Sequence, residues 1–84
     1  MTETTQSAAA EPIILDVRTI PPYQRHPQII GSVEQLEPGA EIQLVNDHDP
    51  VPLRGQLERL FGDSLVWEYL AKGPDLWRVR ISRR

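Results

Sequence analysis

Residues 44–53, LVNDHDPVPL, set Asp47, His48 and Asp49 side by side, with Pro50 and Pro52 directly after them. An imidazole between two carboxylates is favoured in its protonated form, because each carboxylate stabilises the positive charge. Such a group could hold an anion, share a divalent metal with other ligands, or move a proton. The second histidine, His26, stands in a similar setting, in the run RHP after a pair of prolines. Arg18 and Arg25 flank that segment. Two histidines and two aspartates suffice to ligate a divalent metal, yet no pair here has the close spacing of a metal motif. Helix starts favour anions over cations, so Arg25, Arg18 and a charged histidine suit an anionic group better. Nucleophilic catalysis has little material: cysteine is absent, and Ser32, Ser64 and Ser82 fall in other segments. An Asp-x-Asp pair is common in turns and is no acid–base signature by itself. The plainest reading of the stretch is structural, with Asp49 as the cap of a helix, Pro50 in its first turn, and Asn46 and Asp47 making side-chain turns.

These residues converge only if the elements around them bring them together. IILDVR (13–18) reads as a first strand, with Ile13, Leu15 and Val17 facing one side. The adjacent prolines of TIPPYQRHP break regular structure, and Pro27 suits the first turn of a helix. Ile29 or Ile30, Val33 and Leu36 then recur at helical spacing, and EPG at 37–39 ends that helix. EIQLV (41–45) alternates as a second strand. Leu53, Leu57, Leu60 and Phe61 form the apolar stripe of a second helix, which Gly62 can end. SLVWEYL (64–70) and LWRVRIS (76–82) make a hairpin around AKGPD. That loop pairs Tyr69 with Trp77, Trp67 with Val79, Leu65 with Ile81 and Glu68 with Arg78. It places both tryptophans in the core.

The order is therefore β-α-β-α-β-β. A right-handed strand–helix–strand crossover makes the first two strands parallel and puts both helices on one face. The predicted fold is α+β, a two-layer α/β sandwich with a four-stranded mixed sheet. Both helices then start from one sheet edge, where open α/β sheets bind ligands. His26, Asp47, His48 and Asp49 can meet there, beside Arg18 and Arg25.

Composition narrows the function classes. The 84 residues fit one small domain over 12–84, preceded by a tail, 1–11, rich in Thr, Ser, Ala and Glu and without an apolar period. That tail lacks the basic start and apolar centre of a signal peptide, and no apolar run reaches spanning length. A cytoplasmic protein with no membrane role is expected. Net charge −3 and a single lysine, Lys72, make nucleic acid an improbable partner. The remaining cations are eight arginines, suited to planar contacts with carboxylate or phosphate. Ile14, Val45, Val66 and either Leu70 or Leu76 fall on the outer sheet face, which points to weak self-association.

Three stretches, LDVRTIPPYQRHPQI, LEPGAEIQLVNDHDPVPL and WEYLAKGPDLWRVRI, resemble a bacterial family known as domain of unknown function 2249. The resemblance spans residues 13–82. The family is itself similar to the TusA/SirA-like sulfur carriers, which share the β-α-β-α-β-β sandwich. Those carriers place a Cys-Pro pair at the start of the first helix, where this chain has Ile20-Pro21-Pro22-Tyr23. A persulfide role is therefore not inherited. The resemblance implies a docking scaffold for a protein partner in a redox, metal or nitrogen-oxide context, and the expected function is a non-enzymatic binding or accessory module with no cofactor. The alternatives are a metal-dependent or sulfur-transfer-related enzyme component, and an RNA-binding module.

Overall fold

The computed structural model describes residues 12–84, so the tail expected over residues 1–11 lies outside the described residues. Strands β1 (Ile13–Asp16), β2 (Glu41–Asn46), β3 (Leu65–Lys72) and β4 (Trp77–Arg83) form one sheet in the order β1-β2-β4-β3. β1 and β2 are parallel, and β4 runs antiparallel to both β2 and β3. Helix α1 (Pro22–Glu34) connects the parallel pair, and α2 (Val51–Phe61) leads through a short 3-10 turn (Gly62–Ser64) into β3. This is the expected β-α-β-α-β-β sandwich with a mixed sheet.

Two rows of side chains cross the sheet on its inner face. One runs Ile13–Ile42–Ile81–Trp67 and the other Leu15–Leu44–Val79–Tyr69. Ile42, Leu44, Val79 and Ile81 are fully buried, together with Ile29 and Val33 of α1 and Leu53 of α2; Leu57 of α2 is nearly so. They form one cluster, so both helices cover the same face. Each fully buried aliphatic side chain contributes roughly 1.5–3 kcal/mol of transfer free energy. Leu60, read as part of the α2 stripe, is instead exposed, and so is Ile13 at the end of the edge strand.

The start of α1 differs from expectation. The helix begins at Pro22, five residues before Pro27, which lies inside it. Pro22 supplies the preset φ of a first helical residue. Pro27 lacks only the N–H that would bond the Tyr23 carbonyl one turn earlier. The helix tolerates that loss because other contacts hold its first turn.

The hairpin differs too. Tyr69 pairs with Val79, Trp67 with Ile81 and Glu68 with Arg80, a register two residues away from the predicted one. An even shift keeps every side chain on its predicted face, so the hydrophobic pattern could not detect it. An irregularity between Tyr69 and Ala71 lets β3 continue to Lys72, opposite Trp77. The turn closes with the Gly73 N–H donating to the Leu76 carbonyl at 2.8 Å. Trp77 consequently lies over the turn rather than in the core. Its indole would stand 2.7 Å from a Cβ on Gly73, whose φ is +70°, so the position excludes side chains twice over. Trp67 does pack against the core, half-buried.

The outer face is a lattice of charge. Arg80 spans Glu41 at 3.1 Å and Glu68 at 2.8 Å, and Arg78 donates to Gln43 at 3.0 Å. Ile14 and Val66 are exposed among them, whereas Val45 is only 9% exposed.

Candidate functional site

The parallel β1–α1–β2 unit brings the end of β1, the start of α1 and the end of β2 to one sheet edge, and Arg25 ties them together. Arg25 lies at the end of the first turn of α1 and is only 7% exposed. Its Nε donates to the Ile20 carbonyl at 2.8 Å, and one terminal nitrogen donates to the Arg18 carbonyl at 3.2 Å. The other terminal nitrogen reaches Asn46 Oδ1 at 3.2 Å and Asp47 Oδ1 at 3.1 Å. A guanidinium presents its donors in a rigid plane, so these bonds fix the relative positions of three chain segments. They also occupy the group: Arg25 is a clamp and has little left for a ligand.

Asp47 passes this rigidity outward. Its Oδ1 also accepts a hydrogen bond from His48 Nδ1 at 2.7 Å. A carboxylate only accepts, so Nδ1 carries the proton and Nε2 is left for an external group. The His48 side chain is 62% exposed. The bond from His48, and then that from Arg25, holds the Asp47 carboxyl below the usual carboxylate range. The Asn46 side chain, which is 4% exposed as a residue, accepts from the Asp47 N–H at 2.8 Å as well as from Arg25.

The remaining predicted residues point elsewhere. Asp49 does not cap α2: the N-cap is Pro50, with no side-chain hydrogen bond. Asp49 Oδ1 instead accepts from the Tyr69 hydroxyl at 2.7 Å, binding the loop to β3. That bond, and then burial, push the Tyr69 hydroxyl above its ordinary pKa. The helix start manages without a side-chain cap because prolines occupy its N-cap and first-turn positions, where donors are orphaned anyway. Arg18 turns back on Asp16 through two bonds of 2.9 and 2.7 Å, which hold the Asp16 carboxyl at about 2. His26, placed inside α1 by the earlier helix start, lies 3.2 Å from Gln56 Oε1 of α2 and has no bond to His48 or Asp47. The six predicted side chains thus divide into one connected chain, Arg25–Asp47–His48, and three that pair elsewhere: Arg18 with Asp16, His26 with Gln56 and Asp49 with Tyr69.

Sequence reasoning gave Asn46 only a turn role and put Tyr69 in the sheet opposite Trp77, with no hydrogen-bond partner for its hydroxyl. Asn46 and Arg25 are 21 positions apart, and Asp49 and Tyr69 are 20 apart; no local spacing signals either contact. It also gave no weight to Tyr23 and Val51. These open α1 and α2 at this edge and are 79% and 58% exposed. The result is a rim with a fixed imidazole and two exposed apolar side chains.

Among the described residues, no group of three or more His, Asp or Glu side chains is brought together in a way that could hold a metal ion. No curated protein and no solved structure matches the chain. Residues 14–83 match the family described as uncharacterized conserved protein (DUF2249), and the chain belongs to that family.

Proposed function

We propose that the chain is a non-enzymatic docking module that presents the rim to a protein partner. The observation that carries this reading is the chain from buried Arg25 through Asp47 to exposed His48. An exposed side chain whose ring is fixed before binding loses little rotamer entropy when a partner engages it. Tyr23 and Val51 supply the aromatic and aliphatic contact area that protein interfaces favour. Two cavities among the described residues are lined by other residues, which speaks for a flat contact rather than an enclosed small substrate. A metal-dependent activity at the rim lacks a converging ligand set. Among the described residues no helix is long and apolar enough to cross a membrane.

The element order supports kinship with the TusA/SirA-like fold, with docking kept and sulfur transfer absent for want of a cysteine. In this reading the module serves a bacterial, cytoplasmic accessory role. The test is site-specific photocrosslinking in the native host. A benzophenone side chain at position 23 should give a defined protein adduct that His48→Ala abolishes. The same group at Glu34, at the far end of α1, should give none. Identical adducts from both positions, or none from position 23, overturn the proposal.

A further inference from the structure

A cavity of about 510 Å³ opens at the opposite end of the molecule from the rim. β3 begins there and β4 ends there, because β4 runs antiparallel to β2 and β3 runs antiparallel to β4. Its apolar walls are Leu57, Leu65 and Trp67, and its polar groups include Arg54, Arg84 and Asp63. The volume falls within the range of roughly 300–1,000 Å³ typical of small-molecule sites.

The polar groups carry unspent hydrogen-bonding capacity of both signs. Arg54 lies over the Trp67 ring, 5.8 Å from its centroid, and its ion pair is with Glu58, which Nε reaches at 3.5 Å. That pair is about half exposed, so it is weak and easily exchanged. Arg84 is anchored by Nε to the Asp63 carbonyl at 2.7 Å. The terminal nitrogens of both arginines, and the Asp63 carboxylate, make no hydrogen bond among the described residues, and Arg84 and the Asp63 carboxylate make no ion pair there. Guanidinium forks recognise a planar carboxylate, and a nearby carboxylate recognises an ammonium. The lining charges of Arg54 and Arg84 are balanced by Glu58 and Asp63, so a simple anion gains no net field there.

We propose that this cavity binds a small zwitterion with an apolar or aromatic side group, the class of the larger free α-amino acids. The carboxylate engages Arg54 and Arg84, the ammonium engages Asp63, and the side group lies against Trp67, Leu57 and Leu65. This site shares no residue with the rim and stands independently of the docking function.

The experiment uses L-phenylalanine as probe and the full chain carrying Trp77→Phe, which leaves Trp67 as the sole indole. Its fluorescence should change saturably with L-phenylalanine. Arg54→Gln and Arg84→Gln should each weaken binding by about tenfold, the loss of one charge-assisted contact. Phenylacetate and phenethylamine, each lacking one charge, should bind about tenfold more weakly than the amino acid on the same ground. If Trp77→Phe does not fold, amide NMR of the wild-type chain reads the same binding at residues 54, 57, 65 and 67. No saturable response, an unchanged response in both arginine variants, or equal affinity for phenylacetate overturns the assignment.

Discussion

Arg25 and Arg80 each bond to carboxylate on a neighbouring element, yet they do different work. Arg25 is 7% exposed and its bonds go to two backbone carbonyls, an amide and a carboxylate. The Arg80 side chain is 37% exposed and sits between Glu41 and Glu68 on the open sheet face. Water and salt compete for the second cluster and are excluded from most of the first. Burial, and not the identity of the pair, decides what the contact is worth. In Arg25 it also decides local geometry, since the clamp fixes Asp47 and through it the His48 ring.

The largest test of this contrast is Arg25→Met. It should lower the unfolding free energy by roughly 2–4 kcal/mol, because the acceptors around Arg25 are left buried and unpaired. Arg25→Lys should recover only part of that, since one ammonium cannot span the same acceptors. Urea unfolding measures both, and a loss under about 0.5 kcal/mol, the range of an ordinary surface change, would erase the contrast.

Next comes the Asp49–Tyr69 bond. Tyr69→Phe and Asp49→Ala should each cost about 1 kcal/mol. The double variant should cost about as much as either alone, because both remove one interaction. Additive losses would restore a separate role for Asp49 at the helix start.

His48→Ala should change stability by less than about 0.5 kcal/mol, since the side chain is exposed and its bond is the last link of the chain. It should nevertheless abolish the Tyr23 crosslink. A stability loss equal to that of Arg25→Met would make His48 part of the clamp rather than the group it presents.

The smallest effects belong to exposed pairs. Glu68→Gln should cost no more than about 1 kcal/mol and should matter less still in high salt. Asp16 offers a pH version of the same test. Its carboxyl is lowered from the usual 3.8 to about 2 by Arg18. A depressed carboxyl stabilises the fold above its unfolded value, and that stability is lost as pH falls through the folded one. Thermal melts should therefore show a modest loss between about pH 4 and pH 2. Asp16→Asn should flatten it, and Asp47, shifted in the same direction, leaves a residual slope.

Much of the fold was legible because burial imposes a period. Ile29 and Val33, Leu53 and Leu57, Ile42 and Leu44, and Val79 and Ile81 repeat at helical or strand spacing, and all eight lie in the core. The start of α1 was misread because Pro22 and Pro27 both satisfy the rule for a first-turn proline, and no local rule ranks them. The hairpin register was misread because a two-residue shift leaves the inner and outer faces unchanged. That shift also decided that Trp77 covers the turn at Gly73 and that Glu68 meets Arg80.

The candidate site shows the same division more sharply. From the sequence alone came its place, the edge where two helices follow two parallel strands, and the residue types gathered there. Chain direction and hydrophobic period suffice for that, since both are encoded within some ten residues at a time. Only the tertiary structure decided which groups join. Arg25 reaches Asn46 and Asp47 across 21 and 22 positions, Tyr69 takes Asp49 away from the helix start, and Gln56 takes His26 away from His48. A polar side chain shut off from water bonds to whatever partner the packing brings within about 3 Å, and that partner has no fixed separation along the chain.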